Sequence, residues 1–137
     1  MADTIRRVDY RYAVISDKPG EGFRVAAALK EAGVSLLALL AFPAQKGKAQ
    51  VDFVAESDDA LVNAAKAQGL ELSPKKRAFL IQGDDRRGAL AEHLQRLANA
   101  KINVTATSAL CAGNGRYGCI LWVKTDSYDA AARALGA

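Results

Sequence analysis

The sequence is short of almost everything a reaction centre requires. It holds one histidine, His93, and two cysteines, Cys111 and Cys119. That is too little to assemble a convincing metal set. Ser108 and Thr107 fall on an expected strand with no base in recognisable pairing. The acidic pairs Asp58-Asp59 and Asp84-Asp85 fall at helix starts, where they favour the helix dipole rather than acid–base work. No phosphate-binding glycine motif occurs, and Gly113-Asn114-Gly115 is hairpin chemistry. The expectation is a chain that is not an enzyme and needs no metal or cofactor. His93, beside Leu90 and Leu94, is expected at the border of an apolar helix face rather than as a ligand or base.

Long hydrophobic runs are also missing. No segment approaches the roughly 20 apolar residues of a membrane-spanning helix. The longest, Val34 to Phe42, suits a buried strand. Residues 1–10 contain no apolar core of signal-peptide length. A cytoplasmic protein with reduced thiols and no membrane partner is the expectation. Charge of one sign is not concentrated either. The formal net charge is +4 over 137 residues, and Arg6, Arg7, Lys46, Lys48, Lys75, Lys76, Arg77, Arg86 and Arg87 are scattered. Scatter of this kind marks a solvated surface rather than a nucleic-acid footprint.

What the sequence does contain is one turn, used twice. Asp17-Lys18-Pro19-Gly20 and Asp85-Arg86-Arg87-Gly88 each follow a short apolar run and precede a helical pattern. Glycine permits the backbone to reverse there, and the aspartate is a candidate cap for the following helix. In chain order, residues 4–16 read as extended, 22–32 as a helix stopped by Gly33, 34–42 and 50–55 as strands, and 58–68 as a helix capped by Ser57-Asp58. A short strand over 70–72 leads to the Pro74-Lys75-Lys76 link. The second half reads as a strand at 78–82, a helix with Leu90, Leu94 and Leu97 on its face, strands at 102–110 and 118–124, and a helix capped by Asp126.

The step from Gly20 to Gly88, 68 residues, aligns the two halves without a gap. Asp17 falls on Asp85, Leu29 on Leu97, Gly47 on Gly115 and Asp58 on Asp126. Matches at turns, caps and core positions are those a duplicated fold keeps. The fold class expected is α+β, with two ferredoxin-like βαββαβ repeats, antiparallel sheets and helices on one face. Residues 1–74 form the first repeat and 75–137 the second. Repeats of this size are marginal alone, so a shared surface or a homodimer is expected. The second repeat runs out after its last helix and lacks a fourth strand. Thr4 to Asp9, or a partner chain, is expected to fill that edge.

With these features in place, the chain resembles a tandem of ACT domains, the amino-acid-sensing modules of metabolic regulation. The resemblance rests on Val14-Ile15-Ser16-Asp17-Lys18-Pro19-Gly20, on the helix exit Leu29-Lys30-Glu31-Ala32-Gly33-Val34-Ser35-Leu36, and on the duplicated element order. It implies an amino-acid effector bound between neighbouring units. Carried over by position, it implies contacts from Asp17 and Asp85 at the turns and from Asn103 at the start of the second strand, where Ser35 stands in the first repeat. Gly20 and Gly88 would let a ligand approach the backbone. The second repeat departs from the pattern, with Arg87 in place of the proline and Gly83 interrupting its first strand. The implied function is a non-catalytic sensor that relays binding to a regulated protein partner.

The residues independently allow the same chemistry. A zwitterion needs an acceptor for its ammonium, which Asp17 or Asp85 offers, and donors for its carboxylate, which helix-start amides supply. Two other classes stay open. One is a protein-interaction or assembly module with no metabolite. The other is an RNA binder, since Arg116 to Trp122 resembles the aromatic third strand of RNA-recognition motifs. Tyr117 and Trp122 are an odd number of residues apart and so point to opposite strand faces, which argues against that reading and for packing at a sheet surface or interface.

Overall fold

The computed structural model describes residues 2–137. The chain divides into two compact units, Asp9–Lys76 on one hand and the residues up to Val8 with Arg77–Ala137 on the other. The sequence-based division at 74/75 therefore differs from the contact-based one. The N-terminal residues leave the repeat they precede and join the repeat that follows.

The unit Asp9–Lys76 contains the second half of strand β1 (Thr4–Ser16), helix α1 (Glu21–Glu31), strands β2 (Leu36–Pro43) and β3 (Lys48–Ala55), and helix α2 (Asp58–Ala67). Its strands lie in the order β2-β3-β1, all antiparallel. Alternation along β1 and β3 turns Ala13, Ile15, Val51 and Phe53 to one face. They pack there against Val25 and Leu29 of α1 and Leu61 and Ala64 of α2. Ser57 caps α2, its Oγ accepting from the Ala60 N–H at 3.2 Å. The expected strand over 70–72 is not formed. Leu70 and Leu72 instead pack on the core as irregular chain, and the Ser73 N–H donates to the Tyr12 carbonyl at 2.8 Å. Arg11 clamps this region. Its Nε and Nη2 donate to the two Asp58 carboxylate oxygens at 2.8 Å each, and its Nη1 to the Ser73 carbonyl at 3.2 Å.

The other unit contains β4 (Lys76–Asp84), α3 (Ala91–Asn99), β5 (Ala106–Gly113), β6 (Arg116–Trp122), a 3-10 turn (Thr125–Ser127) and α4 (Tyr128–Leu135). Its strand order is β1-β4-β6-β5. Thr4–Val8 of β1 belong to this unit, so the N-terminal residues stand where the second repeat lacks a fourth strand. Ile5 packs on the core formed by Phe79, Ile81, Leu97, Tyr117, Leu121 and the apolar face of α4. Tyr128 stacks on Phe79 with ring centroids 4.5 Å apart, and its hydroxyl donates to the Ala78 carbonyl at 3.0 Å. The alternate residues Ala78, Leu80, Ile120 and Trp122 are buried as well, so β4 and β6 read as continuous apolar runs.

The 68-residue offset holds at the level of register. Val14 pairs with Gln50 and Gln82 with Gly118; Leu40 pairs with Asp52 and Ser108 with Ile120. Several expectations need correction. β2 and β5 begin later than the apolar runs suggest, because the chain first closes the preceding helix, whereas β3, β4 and β6 begin two residues earlier than expected. The Val34 N–H donates to the Leu29 carbonyl and the Ile102 N–H to the Leu97 carbonyl, both at 2.9 Å. Asp126 does not cap α4, which begins after the 3-10 turn with no side-chain cap. Leu94 is not on the core face of α3; it is 38% exposed, while His93 is buried at 4%.

Candidate functional site

The two turns are built alike. The Asp17 N–H donates to the Gly47 carbonyl at 3.0 Å, and the Asp85 N–H to the Gly115 carbonyl at 2.7 Å. Each aspartate is thereby tied to the hairpin loop of its own unit. Gly20 (φ 92°) and Gly88 (φ 67°) then turn the chain through left-handed backbone that other residues resist. Neither aspartate caps a helix: α1 starts after Gly20 and α3 after Leu90, without a side-chain cap at either. The capping reading of Asp17 and Asp85 is therefore set aside, because the intervening turn carries each carboxylate away from the first helical amides.

At the second turn the structure forms a cavity of about 270 Å³. Asp85, Arg86 and Gly88 line one side, with Ala89 and Leu90 at the start of α3; Leu110 and Cys111 of β5 and Tyr117 of β6 line the rest. The Cys111 thiol donates to Asp85 Oδ2 at 3.1 Å, and the carboxylate beside it pushes the thiol pKa up. Polar groups thus gather at the turn, and Ala109 and Leu110 with the Cys111 and Tyr117 side chains form the opposite wall.

Of the sequence-derived candidates, Asp85 and Gly88 line this cavity and Asn103 does not. Asn103 is exposed in the irregular chain before β5, and Ser35 is exposed in the corresponding chain before β2. Asp17 and Gly20 are exposed at the first turn. A smaller cavity of about 70 Å³ in that unit lies between α1 and α2, lined by Arg24, Leu29, Ala64 and Gln68 among others, and by none of Asp17, Gly20 and Ser35.

Behind the larger cavity stands a cluster that sequence reasoning missed. Asp3 has a side chain only 3% exposed. Its two carboxylate oxygens accept from Arg86 Nη1 and Nη2, each at 3.1 Å. Oδ2 also accepts from the Tyr117 hydroxyl at 2.6 Å and lies 2.7 Å from His93 Nε2. The paired Arg86 guanidinium, with Tyr117 and His93, holds the Asp3 carboxyl well below the usual carboxylate range despite burial. Burial, reinforced by that carboxylate, pushes the Tyr117 phenol up to about 12. Tyr117 is therefore a core residue with a buried hydroxyl, not a residue of the sheet surface. The repeat itself carried a signal for His93: it falls 68 residues after Val25, a core residue of α1. Cys111 and Cys119 are both free and do not face each other; Cys111 pairs with Tyr117 and Ala109 with Cys119. Among the described residues, no group of histidine, cysteine and acidic side chains could hold a metal ion, and no helix is long and apolar enough to cross a membrane.

The architecture recurs in solved structures. Protein BT0572 from Bacteroides thetaiotaomicron superposes with a TM-score of 0.82 at 16% identity, over 96% of this chain and 88% of that one. The ligand-free regulatory subunit of aspartate kinase from Thermus thermophilus gives a TM-score of 0.65 at 19% identity, over 98% and 94%. The same subunit from Thermus flavus gives 0.61 at 18%, over 99% and 95%. No protein-family model matches the sequence, and no curated protein matches it. Identities this low speak to the fold, and the likeness spans nearly the whole of both partners. Taken with the repeated turn and strand register, it shows that the chain shares the fold of these proteins, an α+β arrangement of ferredoxin-like units, which is the fold that the resemblance to tandem ACT domains implies.

Proposed function

We propose that this chain is a non-catalytic regulatory protein that binds a small amino acid or related metabolite at the second turn. The observation that carries the reading is the cavity that brings Asp85, Arg86 and Gly88 together against Leu90, Ala109 and Leu110. Asp85 offers an acceptor for an ammonium, and the Arg86 N–H groups left over from Asp3 and the Asp84 carbonyl offer donors for a carboxylate. The apolar wall would receive a short side chain. At about 270 Å³, the space falls just below the roughly 300–1,000 Å³ of pockets for drug-sized ligands. The regulatory subunits that share the fold support a role in control rather than in chemistry. Binding would favour one conformation and so alter a contact in a homodimer or with a regulated partner. Asp17, Gly20, Ser35 and Asn103 remain candidates for contacts at the first turn and at the strand starts.

The test is thermal unfolding of the full chain against each of the twenty amino acids at millimolar concentration. A ligand of the folded state raises the midpoint with dose. The expected result is a shift with small amino acids that is lost in Asp85→Ala, while the unliganded midpoint of that variant stays near wild type. Absence of any shift would overturn the reading. The assembly alternative has its own support in β5, exposed along its whole length, with Leu110 68% exposed. Strong self-association in sedimentation, without a ligand shift, would put it first.

A further inference from the structure

Three residues that meet at Asp3 connect the N-terminal strand to the cavity wall. Arg86 and Tyr117 both line the cavity, and both donate to the Asp3 carboxylate, Arg86 Nη1 donating to the Asp84 carbonyl at 3.0 Å as well. Asp3 immediately precedes Thr4–Val8, the part of β1 that belongs to this unit. His93, buried on the core side of α3, closes the cluster through Nε2. Gly83 of β4 supplies the room. A Cβ at that position would overlap the Asp3 carboxylate and come within 3.2 Å of the Tyr117 ring. This accounts for the glycine that interrupts the first strand of the second repeat.

We infer that Asp3 is a positioning residue of the cavity: by holding Arg86 and Tyr117 it couples docking of the N-terminal strand to the shape and occupancy of the space around Asp85. With Asp3 in place, the Arg86 guanidinium is held at the cavity edge by two bonds to the carboxylate and one to the Asp84 carbonyl, and the Tyr117 hydroxyl is held on the carboxylate. When the strand leaves, Arg86 regains its rotamers and a buried phenol loses its acceptor. The coupling runs both ways by thermodynamic necessity, so an occupant that engages Arg86 changes the hold on the strand. The inference rests on the ligand-binding reading for its purpose, but not for its test.

The cavity has a built-in reporter. Cys111 lines it and is exposed, whereas Cys119 is buried. N-ethylmaleimide labelling of Cys111 therefore follows the cavity, and labelling of Cys119 in the same sample follows global opening. Amide exchange over Thr4–Val8 follows the strand. In Asp3→Asn and in Gly83→Ala, exchange over Thr4–Val8 is expected to accelerate, and the Cys111 rate to change about fivefold or more, with Cys119 still protected. Maleimide-modified wild-type protein is expected to show altered exchange over Thr4–Val8 relative to unmodified protein. Faster strand exchange with an unchanged Cys111 rate would overturn the coupling, because a merely structural contact loosens the strand without reaching the cavity. Unchanged strand exchange in both variants would overturn the tether itself. Neither result depends on whether an amino acid binds, which the thermal screen decides separately.

Discussion

The Asp3 carboxylate lies over the Cα of Gly83, in the volume a side chain at position 83 would take. The residue is a glycine in mid-strand, opposite Tyr117 in the register of β4 and β6, where a glycine weakens a sheet unless something fills its space. Here the filler is a charged group from the start of the chain. Gly83→Ala is expected to destabilise by about 1–3 kcal/mol, the usual cost of forcing a group into filled space. In an Asp3→Ala background the same substitution should cost much less, the Tyr117 ring at 3.2 Å being the close approach that remains. Urea denaturation of the four proteins gives the coupling, and equal costs in both backgrounds would contradict the overlap.

Acid should loosen both units. The carboxyls of Asp3 and Asp58 are held below their ordinary values, chiefly by hydrogen bonds from Arg86 and Arg11. A carboxylate depressed in the folded state stabilises it above the unfolded value of about 4, and that stabilisation is lost as pH falls through the folded value. Stability is therefore expected to drop below about pH 4, and less steeply in Asp3→Asn, which has lost one of the two groups. Urea midpoints between about pH 2 and 5 test this. Parallel curves for the variant and the wild type would remove Asp3 from the acid response.

Most of the architecture was legible in the sequence because turns and core positions repeat at one offset. Asp17 and Asp85, Gly20 and Gly88, and Leu29 and Leu97 occupy matching places in their units. The candidate site was legible only in part. Asp85 and Gly88 meet at the cavity, but Arg86 and Tyr117 were not recognised as its wall, since their positions depend on Asp3, more than 80 residues earlier. A polar residue outside the repeat leaves no periodic trace. His93 was misplaced for a different reason: leucines at 90, 94 and 97 suggest an apolar face by themselves, and only comparison with Val25 turns the helix so that His93 points inward.

The end of α3 contains a correctable strain. Lys101 sits at φ 59°, where Gly33 sits at φ 71° in the other unit. Both close their helices in the same way, with the Lys101 N–H donating to Ala98 at 2.9 Å and the Gly33 N–H to Lys30 at 3.0 Å. Left-handed backbone costs a residue with a Cβ about 1–2 kcal/mol, and glycine avoids that cost. Lys101→Gly is expected to stabilise the protein by about 1 kcal/mol, less the added freedom of glycine in the unfolded chain. A loss of stability in thermal unfolding would show that the lysine side chain compensates for its backbone.

Asp52 offers the opposite case to Asp3. It is 5% exposed on β3, and burial pushes its carboxyl pKa up, against the Gln50 amide, which donates to Oδ1 at 2.9 Å, and the charge of Lys76. A group whose folded value is raised binds its proton more tightly in the folded state. Its favourable contribution is complete below the unfolded value and is lost as pH rises through the folded one. Above the folded value the chain carries a buried charge with only partial compensation. Asp52→Asn keeps the shape and an acceptor for Gln50 while removing that charge. The variant is expected to have a higher unfolding midpoint than wild type at neutral pH, with the difference shrinking on acidification and vanishing below about pH 4, where both side chains are neutral. A difference that stays constant with pH would mean that packing around β3, rather than the charge, sets the effect.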